Sequence, residues 1–202
     1  MKALIVVDLQ NDFCPGGALP VKDGDALVPV INALAKKFDL VVATQDWHPL
    51  DHGSFASCHG KKPGEMITLN GLEQILWPDH CVQGTRGADF VTGFDLNRVV
   101  KIFPKGIDKN IDSYSGFYDN GHQKSTGLGD YLKKRHVTEV YVAGLATDYC
   151  VKFTALDAVR EGFKTFLVVD VCRGVDLRDG DVDRAIVAMK SKGIDLIHAS
   201  EV

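Results

Sequence analysis

Cys150, Asp8 and Lys105 are the side chains of this 202-residue sequence whose types could carry out a reaction together. A free thiol with a pKa near 8.5 is only about 3% ionised at neutral pH, so a cysteine nucleophile needs a base or a favourable field. Cys150 lies in V-A-G-L-A-T-D-Y-C-V-K-F-T-A-L-D-A, where an apolar run turns into a helical pattern. That places it in the first turn of a helix, where unpaired N–H groups and the dipole favour a thiolate. Asp8 could serve as the base, and Lys105 could hold both anions. The same helix terminus supplies N–H donors for an oxyanion, each worth roughly 3 kcal/mol in such sites. Cys14, Cys58, Cys81 and Cys172 have no comparable setting and read as core or loop thiols.

A second group lies in T-Q-D-W-H-P-L-D-H-G-S-F, which holds Asp46, His48 and His52, and in W-P-D-H-C-V-Q-G-T, which holds His80. Asp-x-His at a strand end puts a carboxylate and an imidazole on the same side of the chain. Two imidazoles and a carboxylate suit Zn²⁺, Fe²⁺ or Mn²⁺, with water in the open positions. Loop histidines that satisfy local backbone groups have the same spacing, and spacing alone does not choose between the two.

The elements that must position these residues are legible as an alternation. Apolar runs at 3–7, 40–43, 98–102, 139–143, 165–169 and 195–197 read as strands. Patterns at 25–37, 128–135, 148–161 and 181–192 read as helices, the first with Leu27, Val30, Ile31 and Leu34 at helical spacing. Near-continuous apolar strands separated by helices predict an α/β fold, an open, doubly wound, six-stranded parallel sheet flanked by helices. Such sheets bind ligands beyond the carboxyl ends of their strands. Asp8, Asp46, His48, Lys105 and Cys150 all fall just past predicted strands. Each alone has a bland role as a cap, surface cation or core thiol; their meeting at one end of one sheet does not.

The length predicts a single domain over residues 1–202, with an excursion at about 45–97 too long for a simple connection and therefore functional. A formal charge of −4 gives no footprint for nucleic acid, and the one basic run, 133–136, reads as a solvated helix end. No apolar run approaches the roughly 20 residues of a membrane span, and the apolar start at 3–7 is too short for a signal peptide. Five cysteines, odd in number and without a C-x-x-C pair, predict free thiols in a reducing cytoplasm. No G-x-G-x-x-G follows the first strand, which argues against a dinucleotide-binding dehydrogenase.

Several ordered motifs give the chain a specific resemblance. V-D-L-Q-N-D-F-C-P-G-G-A-L at 7–19, D-W-H-P-L-D-H-G-S-F at 46–55 and W-P-D-H-C-V-Q-G-T at 77–85 are followed by F-P-K-G at 103–106, D-S-Y-S-G-F at 112–117 and G-L-A-T-D-Y-C-V at 144–151. In these the chain resembles the nicotinamidases of the isochorismatase-like cysteine hydrolase superfamily. The resemblance implies a triad of Asp8, Lys105 and Cys150 and a metal held by Asp46, His48 and His80. His52 would be either a further ligand or a partner of metal-bound water. It also implies a cis peptide at Leu145–Ala146, an oxyanion hole from the Ala146 and Cys150 N–H groups, and a substrate pocket lined by Phe13, Trp77 and Tyr114. The implied cofactor is one divalent ion, zinc first and iron or manganese as alternatives. The implied reaction is hydrolysis of nicotinamide to nicotinate and ammonia in NAD salvage, with the metal on the pyridine nitrogen. Homo-oligomerisation stays open. An amidohydrolase acting on carbamoyl or ureido compounds and a catalytically silent binding module are the alternatives. The presence of Cys150 disfavours the vinyl-ether-cleaving isochorismatase branch itself.

Overall fold

In the computed structural model, which describes all 202 residues, the first strand, β1 (Lys2–Val7), is apolar on both sides. Leu4 and Val6 enter one core, and Ala3, Ile5 and Val7 enter the other. That double burial is why the run reads as continuous rather than alternating. The chain continues through α1 (Leu27–Ala35), β2 (Leu40–Asp46), a hairpin β3 (Met66–Leu69) and β4 (Leu72–Ile75), and β5 (Lys101–Lys105). Then come α2 (Leu128–Lys133), β6 (Glu139–Leu145), α3 (Lys152–Arg160), β7 (Lys164–Arg173), α4 (Asp181–Ser191) and β8 (Asp195–Ile197).

Six strands form one parallel sheet in the order β5-β2-β1-β6-β7-β8. Helix α1 covers one face through Leu27, Ile31 and Leu34. The other face is covered by Leu128 and Leu132 of α2, Ala155 and Ala158 of α3, and Met189 of α4. The strand order reverses at β1, whose neighbours are β2 on one side and β6 on the other, and a crevice opens there at the carboxyl ends.

Several boundaries differ from expectation, each for a physical reason. Helix α1 starts later than residue 25 because Leu27 and Val28 donate to Gly24 and Asp25 in a preceding turn. The strand expected at 98–102 lies at Lys101–Lys105, because residues 96–98 form a short turn that the Asp95 carboxylate caps. Pro104 is tolerated there because β5 is an edge strand. The helix expected at 148–161 is a π-helical turn (Thr147–Val151) followed by α3. The excursion contains the β3–β4 hairpin, which is not among the strands expected from the apolar runs. No helix is long and apolar enough to cross a membrane.

One glycine sets how closely the central strands approach. Gly144 has φ +123°, and a Cβ there would lie 2.2 Å from the Val7 carbonyl oxygen. The register of β6 on β7 shifts at the same place.

Candidate active site

Asp8 follows β1 directly, with φ at +44°, and Asp46 and Lys105 are the last residues of β2 and β5. Thr44, two residues upstream on β2, donates its hydroxyl to Asp8 Oδ1 at 2.6 Å and accepts the Asp8 N–H at 3.3 Å. Gln10 fixes the Asp46 backbone from both sides. Its amide donates to the Asp46 carbonyl and accepts the Asp46 N–H, both at 2.8 Å.

Lys105 is fully buried and joins these groups. Its Nζ donates to Asp46 Oδ1 at 2.5 Å, to the Ser113 carbonyl at 2.9 Å and to Cys150 Sγ at 3.3 Å. Those contacts use all three ammonium protons. Asp8 Oδ2 lies 2.9 Å from Nζ as an ion-pair contact but off the line of a hydrogen bond, so this buried oxygen has no hydrogen-bond partner. A carboxylate oxygen of Asp8 stands within 4.8 Å of the Cys150 sulfur.

The electrostatics of the site are set first by burial. Burial pushes the Cys150 thiol well above its ordinary pKa; Lys105 opposes this, while Asp8 and Asp46 add to it. Desolvation and two nearby carboxylates therefore favour the protonated thiol, against the pull of Lys105. Burial also raises Asp8, against the pull of Lys105. For Lys105, burial disfavours the charge, but Asp46, Asp8 and Cys150 together hold its pKa well above normal. The arrangement is a buried thiol beside a buried carboxylate, with a fixed ammonium between two acids.

His48 and His80 reach the site by a different route. The His48 N–H donates to the Cys81 carbonyl at 3.0 Å and its carbonyl accepts from Gln83 N–H at 2.8 Å, which lays residues 80–83 alongside it. Asp12 pins the same turn by accepting the Cys81 N–H at 2.7 Å. His48 Nδ1 bonds the Gly106 carbonyl at 2.9 Å, and His80 Nδ1 bonds the Pro78 carbonyl at 2.8 Å. A carbonyl only accepts, so both Nδ1 atoms carry a proton, and in the neutral rings both Nε2 lone pairs are free. These Nε2 atoms face Asp46 Oδ2 at 3.7 and 3.9 Å. Gly106 is required for this packing: at φ +66° it leaves a space where a Cβ would lie 2.3 Å from the His48 ring.

That donor set fits a divalent cation. Three ligand atoms, from Asp46, His48 and His80, lie within 4.8 Å of one another in a buried setting. Burial raises the Asp46 carboxyl, but Lys105, His48 and His80 outweigh this and hold it well below the usual range. Burial and His48 hold His80 down at about 4, so it is neutral near pH 7. His48 is raised instead, because Asp46 outweighs the cost of burial. Asp46, held ionised between Lys105 and the two imidazoles, is a carboxylate that a cation beside it would also stabilise.

His52 differs from the other two histidines. Its Nδ1 accepts the Ser54 N–H at 3.3 Å and pairs with Ser54 Oγ at 2.7 Å, so the ring proton sits on Nε2. Nε2 has no hydrogen-bond partner, and ligand atoms of His52, His48 and Asp112 lie within 4.8 Å of one another as a second buried group beside the first.

A narrow cavity joins the two groups of residues. Cys150, Ala146, Asp46, His48 and His80 lie on its wall, as do Phe13, Trp77 and Tyr114. The Leu145–Ala146 peptide is cis, and no protein acceptor takes the Ala146 N–H. Asp8, Lys105 and His52 sit behind the wall. Leu19, Asp112, Tyr149 and Val175 complete the lining and were missed from sequence. Tyr149 and Asp112 could have been suspected, as neighbours of Cys150 and Tyr114 in the same motifs; nothing marked Leu19 or Val175.

The chain's similarities to known proteins extend over nearly its whole length. The isochorismatase domain family matches residues 2–201. A nicotinamidase of Escherichia coli K12 is 47% identical over 199 residues, which cover 96% of this chain and 93% of the relative. The solved nicotinamidase/pyrazinamidase of Acinetobacter baumanii has a TM-score of 0.96 at 48% identity, covering 99% of this chain and 97% of its own. A pyrazinamidase of Pyrococcus horikoshii solved in complex with zinc has a TM-score of 0.80 at 40% identity, covering 98% of each chain.

Proposed function

The chain belongs to the isochorismatase family, and from that premise we propose that Asp8, Lys105 and Cys150 hydrolyse the carboxamide of nicotinamide, releasing nicotinate and ammonia, through a thioester on Cys150. It is an amidohydrolase with a small-molecule substrate. The observation that carries the residue roles is the position of Lys105 Nζ, in contact with Asp8, Asp46 and Cys150 at once.

Asp8 Oδ2, buried and without a hydrogen bond, takes the thiol proton as Cys150 attacks the amide carbon. Burial raises the thiol pKa, so proton transfer to Asp8 accompanies attack. The Ala146 and Cys150 N–H groups hold the tetrahedral oxyanion. Asp8 then gives its proton to the leaving nitrogen, the C–N bond breaks, and ammonia departs. Water attacks the thioester, with Asp8 taking its proton and returning it to the Cys150 sulfur. Lys105 keeps its charge throughout and fixes both acids.

Asp46, His48 and His80 would hold one divalent ion, which we read as zinc, with iron or manganese compatible with the same donors. Bound there, it would supply a Lewis-acid position for the azine nitrogen and so orient the ring. Phe13, Trp77 and Tyr114 enclose the ring from the sides, and His52 serves as an N–H donor behind the ligands. The five unpaired thiols support a cytoplasmic location.

The test is ammonia release from nicotinamide by purified protein, with metal analysis on the same sample. Release with about one equivalent of divalent metal per chain supports the reading. A folded, metal-loaded protein that releases no ammonia refutes it.

A further inference from the structure

Lys105 draws one of its three hydrogen bonds from backbone, the Ser113 carbonyl. Ser113 lies between Asp112 and Tyr114, both on the cavity wall. This tripeptide therefore faces the lysine and the cavity together, yet it belongs to no strand or helix. No ladder of sheet hydrogen bonds holds it at the required place, so something else must.

Asn120 holds both of its ends. The Asn120 N–H donates to the Asp112 carbonyl at 2.8 Å, and Asn120 Oδ1 accepts the Tyr114 N–H at 2.9 Å. Asn120 sits in a turn that its neighbour organises: the Asp119 carboxylate accepts the N–H groups of Gly121, Gln123 and Lys124 at 3.1, 2.8 and 2.9 Å. Asn120 itself does not line the catalytic cavity. On the far side of the tripeptide, Gln74 Nε2 from β4 reaches Asp112 Oδ2 and the Tyr114 hydroxyl, each at 3.1 Å. The backbone is thus clamped by Asn120 and the side chains by Gln74.

We propose that Asn120 is a positioning residue for the hydrolytic site, setting the Ser113 carbonyl on Lys105 and the Tyr114 ring on the cavity through its clamp on residues 112–114. The inference rests on the assignment of Lys105 and Cys150 above. The side-chain half of the clamp is an acceptor contact, and this makes it separable from packing. Asn120→Asp keeps an acceptor oxygen at the same reach, whereas Asn120→Leu keeps the size and removes it. Without the acceptor, the Tyr114 N–H is left unpaired and the tripeptide is free to shift. A shift of about 1 Å in such a group can cost on the order of a hundredfold in turnover.

The experiment measures kcat and KM for nicotinamide in metal-loaded wild type, Asn120→Asp, Asn120→Leu and Asn120→Ala, with each rate normalised to folded protein by thermal melt. The expected result is a fall in kcat of about tenfold or more in the Leu variant, a rise in KM, and recovery to within about threefold of wild type in the Asp variant. If the Leu variant does not fold, the Ala variant takes its place under the same criteria. Wild-type kcat and KM without the acceptor would overturn the proposal. Equal impairment of the Asp and Leu variants would do the same, because the defect would then come from packing. Cys150→Ala, run alongside, separates the two layers. Activity in that variant contradicts the nucleophile assignment, while an inactive Cys150→Ala beside a normal Asn120→Leu contradicts only the role of Asn120.

Discussion

Asp46 and Lys105 end neighbouring strands in register, and their side chains meet at 2.5 Å, so one carboxylate serves two centres. Its Oδ1 accepts from the lysine that touches Cys150, and its Oδ2 faces the free nitrogens of His48 and His80. The site that fits a metal and the site that fits a nucleophile therefore share a side chain.

Because of that sharing, Asp46→Asn and His80→Ala should fail differently. Both should lower metal content, each by weakening a ligand. Excess metal should restore much of the turnover in His80→Ala, but Asp46→Asn should remain down by on the order of a hundredfold because Lys105 has also lost one of its two ion-pair partners. Metal analysis and kcat across a metal titration check this. Full rescue of Asp46→Asn by metal would show that the Lys105 contact contributes nothing.

Asp8 and Lys105 should behave as one unit with Cys150. Single alanine substitutions are each expected to cost several orders of magnitude in kcat/KM, and the double variant should lose little more. Additive losses in that cycle would mean that the two residues act independently.

Thr44 supplies the one side-chain hydrogen bond to Asp8 Oδ1. Thr44→Val keeps the shape and leaves a buried carboxylate oxygen unsatisfied, which costs about 1–3 kcal/mol. The expected outcome is a lower melting temperature together with roughly a tenfold drop in kcat, since Asp8 is the base. Unchanged kcat with a lowered melting temperature would make Thr44 purely structural.

Benzamide has the carboxamide and nearly the shape of nicotinamide but lacks the ring nitrogen. It should be hydrolysed far more slowly by metal-loaded protein, and chelation should damage nicotinamide turnover selectively and narrow the gap. Equal kcat/KM on the two amides would leave the metal a structural role. Circular dichroism of the stripped protein belongs with this measurement, because loss of folding on chelation would point the same way.

Much of the site is legible in the chain because chemistry-bearing residues follow apolar runs. Asp8 after residues 3–7 and Cys150 after the strand expected at 139–143, observed as Glu139–Leu145, fall at the carboxyl ends by counting alone. Other features lack a local signal. Strand β5 is blurred by Lys101, Pro104 and Lys105, and by Ile102, which is exposed on an edge strand. The β3–β4 hairpin did have a signal, the Asn70–Gly71 pair, which takes up the positive φ values (+49° and +83°) of a tight two-residue turn. Its strands carry too little apolar alternation to announce themselves, since Met66 is exposed. The raised pKa of the thiol was not legible, because it depends first on burial and then on Asp8 and Asp46, which lie more than 100 residues away in sequence. Gln74 on Asp112 and Asn120 on Tyr114 are likewise contacts that no periodicity encodes.

The central claim is that Cys150 forms a covalent bond with the acyl group of its substrate. Rapid acid quenching of the metal-loaded protein during nicotinamide turnover, followed by peptide mass spectrometry, tests it most directly. The account predicts a nicotinoyl adduct on the peptide bearing Cys150, absent from Cys150→Ala, which should be folded and inactive. Amide hydrolysis by Cys150→Ala at a rate comparable to wild type would contradict it.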